Sequence, residues 1–174
     1  RVRVHDIEDK IKNETALVAI MTANNETGTI QPINEVAALC RERGIHFHTD
    51  AVQALGKIKV DFTENYTSTA SFSAHKVYGP KGVGVLYIRK GNKLHPLVYG
   101  GSQEKSLRAG TENVPGIAGF GLACELITEN INEHSSRVEN LRNMMVNRII
   151  SEFPSGIING HPENSDIYKK ALEY

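Results

Sequence analysis

Several classes of protein are excluded by what this chain has little of. It holds only two cysteines in 174 residues, Cys40 and Cys124, too few for a disulfide framework. Lys plus Arg and Asp plus Glu balance at 20 each, so no net field draws nucleic acid or an anionic membrane towards it. Its local charge clusters, such as Arg41-Glu42-Arg43, mix both signs and read as solvated helix faces. No apolar run approaches the ~20 residues of a membrane helix, and no signal-peptide pattern opens the chain. The expected location is therefore cytoplasmic or organellar, with neither nucleic acid nor membrane as a direct partner. The first residue is Arg1 rather than Met, as expected of a fragment or a processed product. Three Asn-X-Thr tripeptides, at Asn13, Asn25 and Asn65, match the glycosylation pattern. With nothing pointing to secretion, they read as chance matches. Internal repeats and low-complexity tracts are also missing.

What remains is ordinary soluble composition, 40% hydrophobic, enough for one domain or one domain and part of another. Residues 5–15 predict a short helix or a connection. The continuous apolar run 17–21 predicts a strand covered on both faces. Pro32 and Asn34, a plausible N-cap, introduce a helix over 35–43, with Val36, Leu39 and Cys40 at i, i+3, i+4 and Gly44 as its C′ residue. Residues 45–50 read as a strand, 51–55 as a loop or helix start, and the alternating 58–62 as an edge strand. A strand near 69–72 and a buried one at 83–88 follow. A long loop covers 91–111, of a length more often functional than idle. Helices are expected over 114–129 and 135–153, the second with a Val138, Leu141, Met145, Ile149 stripe read as core packing. The tail from Pro154 is polar and carries no signal. This alternation predicts an α/β fold, a mostly parallel sheet with flanking helices, whose sites lie at the carboxyl ends of strands.

Asn25, Asp50 and Lys76 all fall at or just past predicted strand ends. Lys76 lies between two apolar segments, and burial there lowers an amine's pKa and frees its nitrogen to attack an aldehyde. Ser73 and His75 alternate with Ala74, so their side chains converge beside Lys76, as phosphate ligands would. Asp50 ends a buried strand, where a carboxylate needs its charge met; a protonated pyridine nitrogen would meet it, as in pyridoxal phosphate sites. Gln53, three residues on, is placed to hydrogen-bond the ring oxygen. A rival reading takes His46, His48 and Asp50, on one strand face, as a metal site of a hydrolase. The plainer one makes both histidines satisfied strand residues, and the metal reading leaves Lys76, Asn25 and the 108–111 loop without roles. The glycines of 79–84 form neither a P-loop nor a dinucleotide fingerprint, because they precede a strand rather than a helix.

Four motifs run in order along the chain: 23–28 with 31–33; His48-Thr49-Asp50-Ala51-Val52-Gln53; 71–76 with 78–82; and 100–104 with 108–113. On these the chain resembles the cysteine desulfurases, pyridoxal-phosphate enzymes of the class V aminotransferase group with the type I fold. The resemblance implies that Lys76 holds the cofactor as a Schiff base and moves the proton, while Asp50 pairs with the ring nitrogen and Gln53 with the ring oxygen. Ser73 and His75 would bind phosphate, joined by Thr111 from a partner subunit of a homodimer, and Asn25 would touch cofactor and substrate carboxylate. It further implies sulfur removal from L-cysteine, leaving L-alanine and an enzyme persulfide that serves iron–sulfur scaffold proteins and other sulfur acceptors. Residues 1–126 would then be the cofactor-binding large domain, and 127–174 linking helices and the start of a smaller one.

The family's sulfur-accepting cysteine and substrate arginine lie beyond residue 174, and its ring-stacking histidine before residue 1. Cys40 and Cys124 do not match the acceptor, and residues from His161 fit the pattern poorly. The alternatives are a selenocysteine lyase, or a catalytically silent homologue serving as an assembly module.

Overall fold

The computed structural model describes residues 1–160. A four-stranded sheet is ordered β1 (Leu17–Ala19), β2 (His46–Asp50), β3 (Thr69–Ser73), β4 (Gly84–Ile88). β1, β2 and β3 are parallel, with Leu17 opposite His46 and Asp50 opposite Ser71. β4 returns antiparallel to β3, Ser73 facing Gly84. Helices α1 (Val4–Glu8), α2 (Ile33–Glu42), α3 (Val114–Glu129) and α4 (Ile131–Glu152) complete it. This is the expected α/β fold.

α2 forms where the apolar spacing places it, burying Val36, Ala37, Leu39 and Cys40. Its end follows from Gly44, whose φ of 67° allows Gly44 N–H to reach Arg41 O and Ile45 N–H to reach Cys40 O, a Schellman closure. Its start differs from expectation. Pro32 is the N-cap, and the Asn34 carbonyl accepts from Asn65 Nδ2 at 2.9 Å instead of capping. The buried face of α2 packs with Phe47, Val18 and α1 residues Val4 and Ile7 on one side of the sheet. A second cluster, Ala51, Ala54, Ile58, Phe62 and Ala70, fills the space beneath the β2–β3 connection. Phe62 lies 6.0 Å from Phe72 and 5.4 Å from Tyr87, centroid to centroid.

Four expectations are corrected. Residues 58–62 form no strand: the segment lies in the β2–β3 connection and pairs with neither outer strand of the sheet, β1 or β4. Its alternation instead drops Ile58 and Phe62 into the core, while Asp61 turns back to accept from Thr63 N–H and hydroxyl. Two strands are less covered than expected: β1 is shorter than 17–21 and leaves Leu17 55% exposed, and β4 is not buried, with Val85 and Leu86 50% exposed. The α4 stripe is not core packing either. Leu141, Met144, Met145 and Ile149 are exposed, and α4 buries Ser135 and Glu139 instead. No helix among the described residues is long and apolar enough to cross a membrane. The poor fit expected from His161 onward lies outside the described residues.

Candidate functional site

Two parallel strands end side by side, and their ends carry the polar residues. Asp50 closes β2, and Ala51 N–H bonds to Ser71 O of β3 at 3.0 Å. Thr22, just past β1, donates its N–H to Asp50 O at 2.7 Å. Below, the buried hydroxyls of Thr22 and Thr49 meet at 2.8 Å, tying the exits of β1 and β2 together. The Asp50 carboxylate is held by Val52 N–H on Oδ1 at 2.9 Å, which leaves Oδ2 facing outward from an exposed residue.

Past Asp50 the chain winds helically through residues 51–58, with Ala54 and Leu55 N–H bonding to Ala51 O and Lys57 and Ile58 N–H to Ala54 O. Ala51 and Ala54 are buried, so Gln53 and Lys57 fall together on the opposite side, four residues apart. Lys57 Nζ donates to Gln53 Oε1 at 3.1 Å. The winding is pinned by Ser135 of α4, whose hydroxyl donates to Lys57 O at 3.2 Å. It also needs Gly56: φ is +70°, and a Cβ there would meet the Ile127 side chain at 2.9 Å.

β3 ends in a 3-10 turn, Ala74–Val77. Ala74 and Val77 are the core members of that turn, packed against Phe120 of α3, and they turn His75 and Lys76 outward. Ser73 Oγ and His75 Nδ1 lie 2.8 Å apart, so this pair converges as expected. The turn is closed by Gly79 N–H on Ala74 O and Ala74 N–H on Val83 O. α3 approaches it closely because Gly116 and Gly119 offer no side chain, and a Cβ on either would strike Val83 or Pro80.

Burial does not fall on the expected lysine. Lys76 is exposed, because Ala74 and Val77 take the core positions of its turn. Lys57 is the half-buried amine, and its pKa is pushed below the ordinary lysine range, first by burial and then by the neighbouring charge of Lys76. Lys57 falls between the loop or helix start expected at 51–55 and the strand expected at 58–62, whereas a winding continued through 58 puts it at i+4 from Gln53.

Asn25 is exposed in the turn after β1, which Asn24 organises by accepting from Glu26 N–H and from the N–H and hydroxyl of Thr27. Thr111 is exposed ahead of α3 and makes no hydrogen bond with Ser73 or His75. The chain thus sets Asp50, Gln53, Ser73, His75 and Lys76 at the neighbouring ends of β2 and β3, with Asn25 on the loop after β1 and Thr111 ahead of α3.

The histidines of β2 are satisfied within the sheet. His46 Nε2 and His48 Nδ1 both meet Thr69 Oγ1, at 3.0 and 2.9 Å, and burial with the nearby His48 holds His46 below the ordinary histidine range. Burial raises the thiols of Cys40 and Cys124, the opposite of the lowered value that activates a thiol.

Chemically, the rim offers an amine, a carboxylate with a free oxygen, an amide, and a hydroxyl–imidazole pair. That set suits a ligand with an electrophilic carbon, a cationic edge and an anionic arm.

The aminotransferase class-V family pattern matches residues 1–168. The cysteine desulfurase IscS of Clostridium botulinum (strain Hall) is 48% identical over 164 residues, covering 94% of this chain and 41% of that protein. Among solved structures, a NifS-like protein superposes with a TM-score of 0.83 at 44% identity, over 86% of this chain and 42% of its own. SspA in complex with cysteine superposes with a TM-score of 0.69 at 43% identity, over 71% of this chain and 36% of its own. The chain therefore spans about two-fifths of the length of the relatives it matches.

Proposed function

Because this chain belongs to the class V aminotransferase family, we propose that it carries the pyridoxal-phosphate centre of a cysteine desulfurase. The observation that carries the reading is the β2–β3 register. It brings the carboxylate of Asp50, opposite Ser71, next to a strand that ends in Ser73, His75 and Lys76. The donor set fits the cofactor. Asp50 has an oxygen left for a protonated ring nitrogen after Val52 takes the other. Ser73 and His75 lie side by side, joined by a hydrogen bond of 2.8 Å, where a phosphate could exchange that bond for its own. When bound, pyridoxal phosphate supplies an aldehyde that condenses with amines and a protonated ring that withdraws electrons from the attached carbon.

The chain's own residues supply the rest. Lys76 Nζ provides the amine that holds the aldehyde and then carries the proton to and from the substrate carbon. Asp50 keeps the ring nitrogen protonated. Gln53 donates to the ring oxygen, and Asn25 contacts the cofactor edge and the substrate carboxylate. Thr111 completes the phosphate site from the second subunit of a homodimer. L-cysteine is the proposed substrate, supported by the cysteine-bound neighbour. Its sulfur passes to an enzyme thiol as a persulfide, leaving L-alanine, and then to iron–sulfur scaffold or other acceptor proteins. Neither Cys40 nor Cys124 is assigned as that thiol, since burial raises both. Residues 1–126 form the cofactor-binding part in this reading, and 127–174 begin a second unit.

Loading the protein with pyridoxal phosphate tests the reading. A visible absorption band is expected in the wild type, lost in Lys76→Ala and weakened in Asp50→Asn. A protein that stays colourless on loading overturns the proposal and leaves a catalytically silent module.

A further inference from the structure

The Lys57–Gln53 pair has a consequence for the site that neither residue has alone. A lysine ammonium donates and never accepts, whereas a glutamine amide has one acceptor end and one donor end. The contact at 3.1 Å between Lys57 Nζ and Gln53 Oε1 therefore fixes which end of the amide points where. The carbonyl is turned back towards Lys57, and the NH2 is left facing out. Lys57 is itself held at several points: its N–H bonds to Ala54 O, its carbonyl accepts from Ser135 of α4, and its side chain is half-buried. A freely solvated lysine would lose this orientation among many rotamers; a pinned one keeps it.

We propose that Lys57 is a positioning residue, which locks the Gln53 amide so that its NH2 serves as a hydrogen-bond donor to the ring oxygen of the bound cofactor. This rests on the pyridoxal-phosphate reading above. Donation to that oxygen favours its charged form, so the bound cofactor's chromophore loses its proton at lower pH than it would beside a wandering amide. Lys76 is the charged neighbour that Lys57 feels, from the turn after β3. A bare charge effect of Lys57 on Lys76 would shift the chromophore in the same direction. The two are separated by asking whether the effect passes through Gln53.

The experiment is a pH titration of the visible band of the full protein loaded with pyridoxal phosphate, followed by absorbance and not by turnover. Lys57→Met is expected to raise the midpoint by about one pH unit, the size of one hydrogen bond to a charged group. Gln53→Leu is expected to raise it similarly, and Lys57→Met placed on Gln53→Leu to add nothing. Lys57→Arg, which keeps the donor, should restore the wild-type midpoint. If Lys57→Met folds poorly on a thermal melt, Lys57→Ala carries the same expectation. An unchanged midpoint in a coloured, folded Lys57 variant overturns the proposal, and so does a full Lys57 effect that persists without Gln53. A wild type that takes up no cofactor would instead sink the functional reading on which it stands.

Discussion

Replacing Gly56 with alanine separates two costs that the structure makes distinct. The residue has φ +70°, and a Cβ built on it lies 2.9, 3.0 and 3.1 Å from three atoms of the Ile127 side chain. The left-handed conformation costs an L-residue about 1–2 kcal/mol. Pressing a methyl into a packed neighbour adds roughly 1–3 kcal/mol, and the stiffer unfolded chain returns about 0.4–1 kcal/mol. The net loss is about 1–5 kcal/mol, centred near 3, which lowers the melting temperature by roughly 2–20 °C for a chain of this size. Gly44 provides the control. Its φ is +67°, but nothing lies within 4 Å of its Cβ position, so Gly44→Ala should lose only about 1 kcal/mol or less. Trimming the obstacle with Ile127→Ala should make Gly56→Ala cost no more than Gly44→Ala, a coupling read by a double-mutant cycle in thermal or denaturant unfolding. If Gly56→Ala is neutral, or costs the same with Ile127 present or trimmed, the close packing of the 51–58 winding against α3 is wrong, and the placement of Gln53 and Lys57 goes with it.

The buried hydroxyl pair of Thr22 and Thr49 predicts that Thr49→Val destabilises by about 1–3 kcal/mol, because Thr22 is left unpaired. Adding Thr22→Val should recover much of that loss, and denaturant unfolding decides it. His46, depressed by burial and by His48, should titrate below the ordinary histidine range of about 6.5 in proton NMR. A depressed folded-state value means that its stabilising contribution is present above about pH 6.5 and is lost as pH falls through the folded value. The two thiols run the opposite way. Raised by burial, they favour the folded state below about pH 8.5, and that contribution fades as pH rises further. A thiol reagent should label Cys40 slowly at pH 8 in the native protein and fast after denaturation.

Much of this architecture was legible in the sequence. The β-branched run into Ile88, the 3.6-residue spacing in α2 and the Gly44 stop report local geometry, and local geometry followed them. Asp50, Ser73, His75 and Lys76 stand out as candidates because strand ends are marked by where apolar residues stop, and the strands do end there. The misses have a common cause: alternation and periodicity reveal that residues have a buried side, not what buries it. Residues 58–62 alternate like a strand, yet Ile58 and Phe62 are covered by the core cluster of the β2–β3 connection and not by a neighbouring strand. The α4 stripe is helical in period, yet nothing among the described residues covers Leu141 or Met145. Lys76 sits in an apolar neighbourhood of sequence, but Ala74 and Val77 fill that neighbourhood in space. Lys57 has no mark in the sequence because its place depends on the helix start at 51–55 continuing to 58, where alternation points to a strand instead.

Two amines share this rim, one exposed and one half-buried, and the account rests on the exposed one bonding the cofactor. Borohydride reduction of the pyridoxal-phosphate-loaded protein, followed by peptide mass spectrometry, decides between them directly. A pyridoxyl adduct on Lys76 with Lys57 unmodified is the expected result. An adduct on Lys57 instead, or no adduct on either, would contradict it.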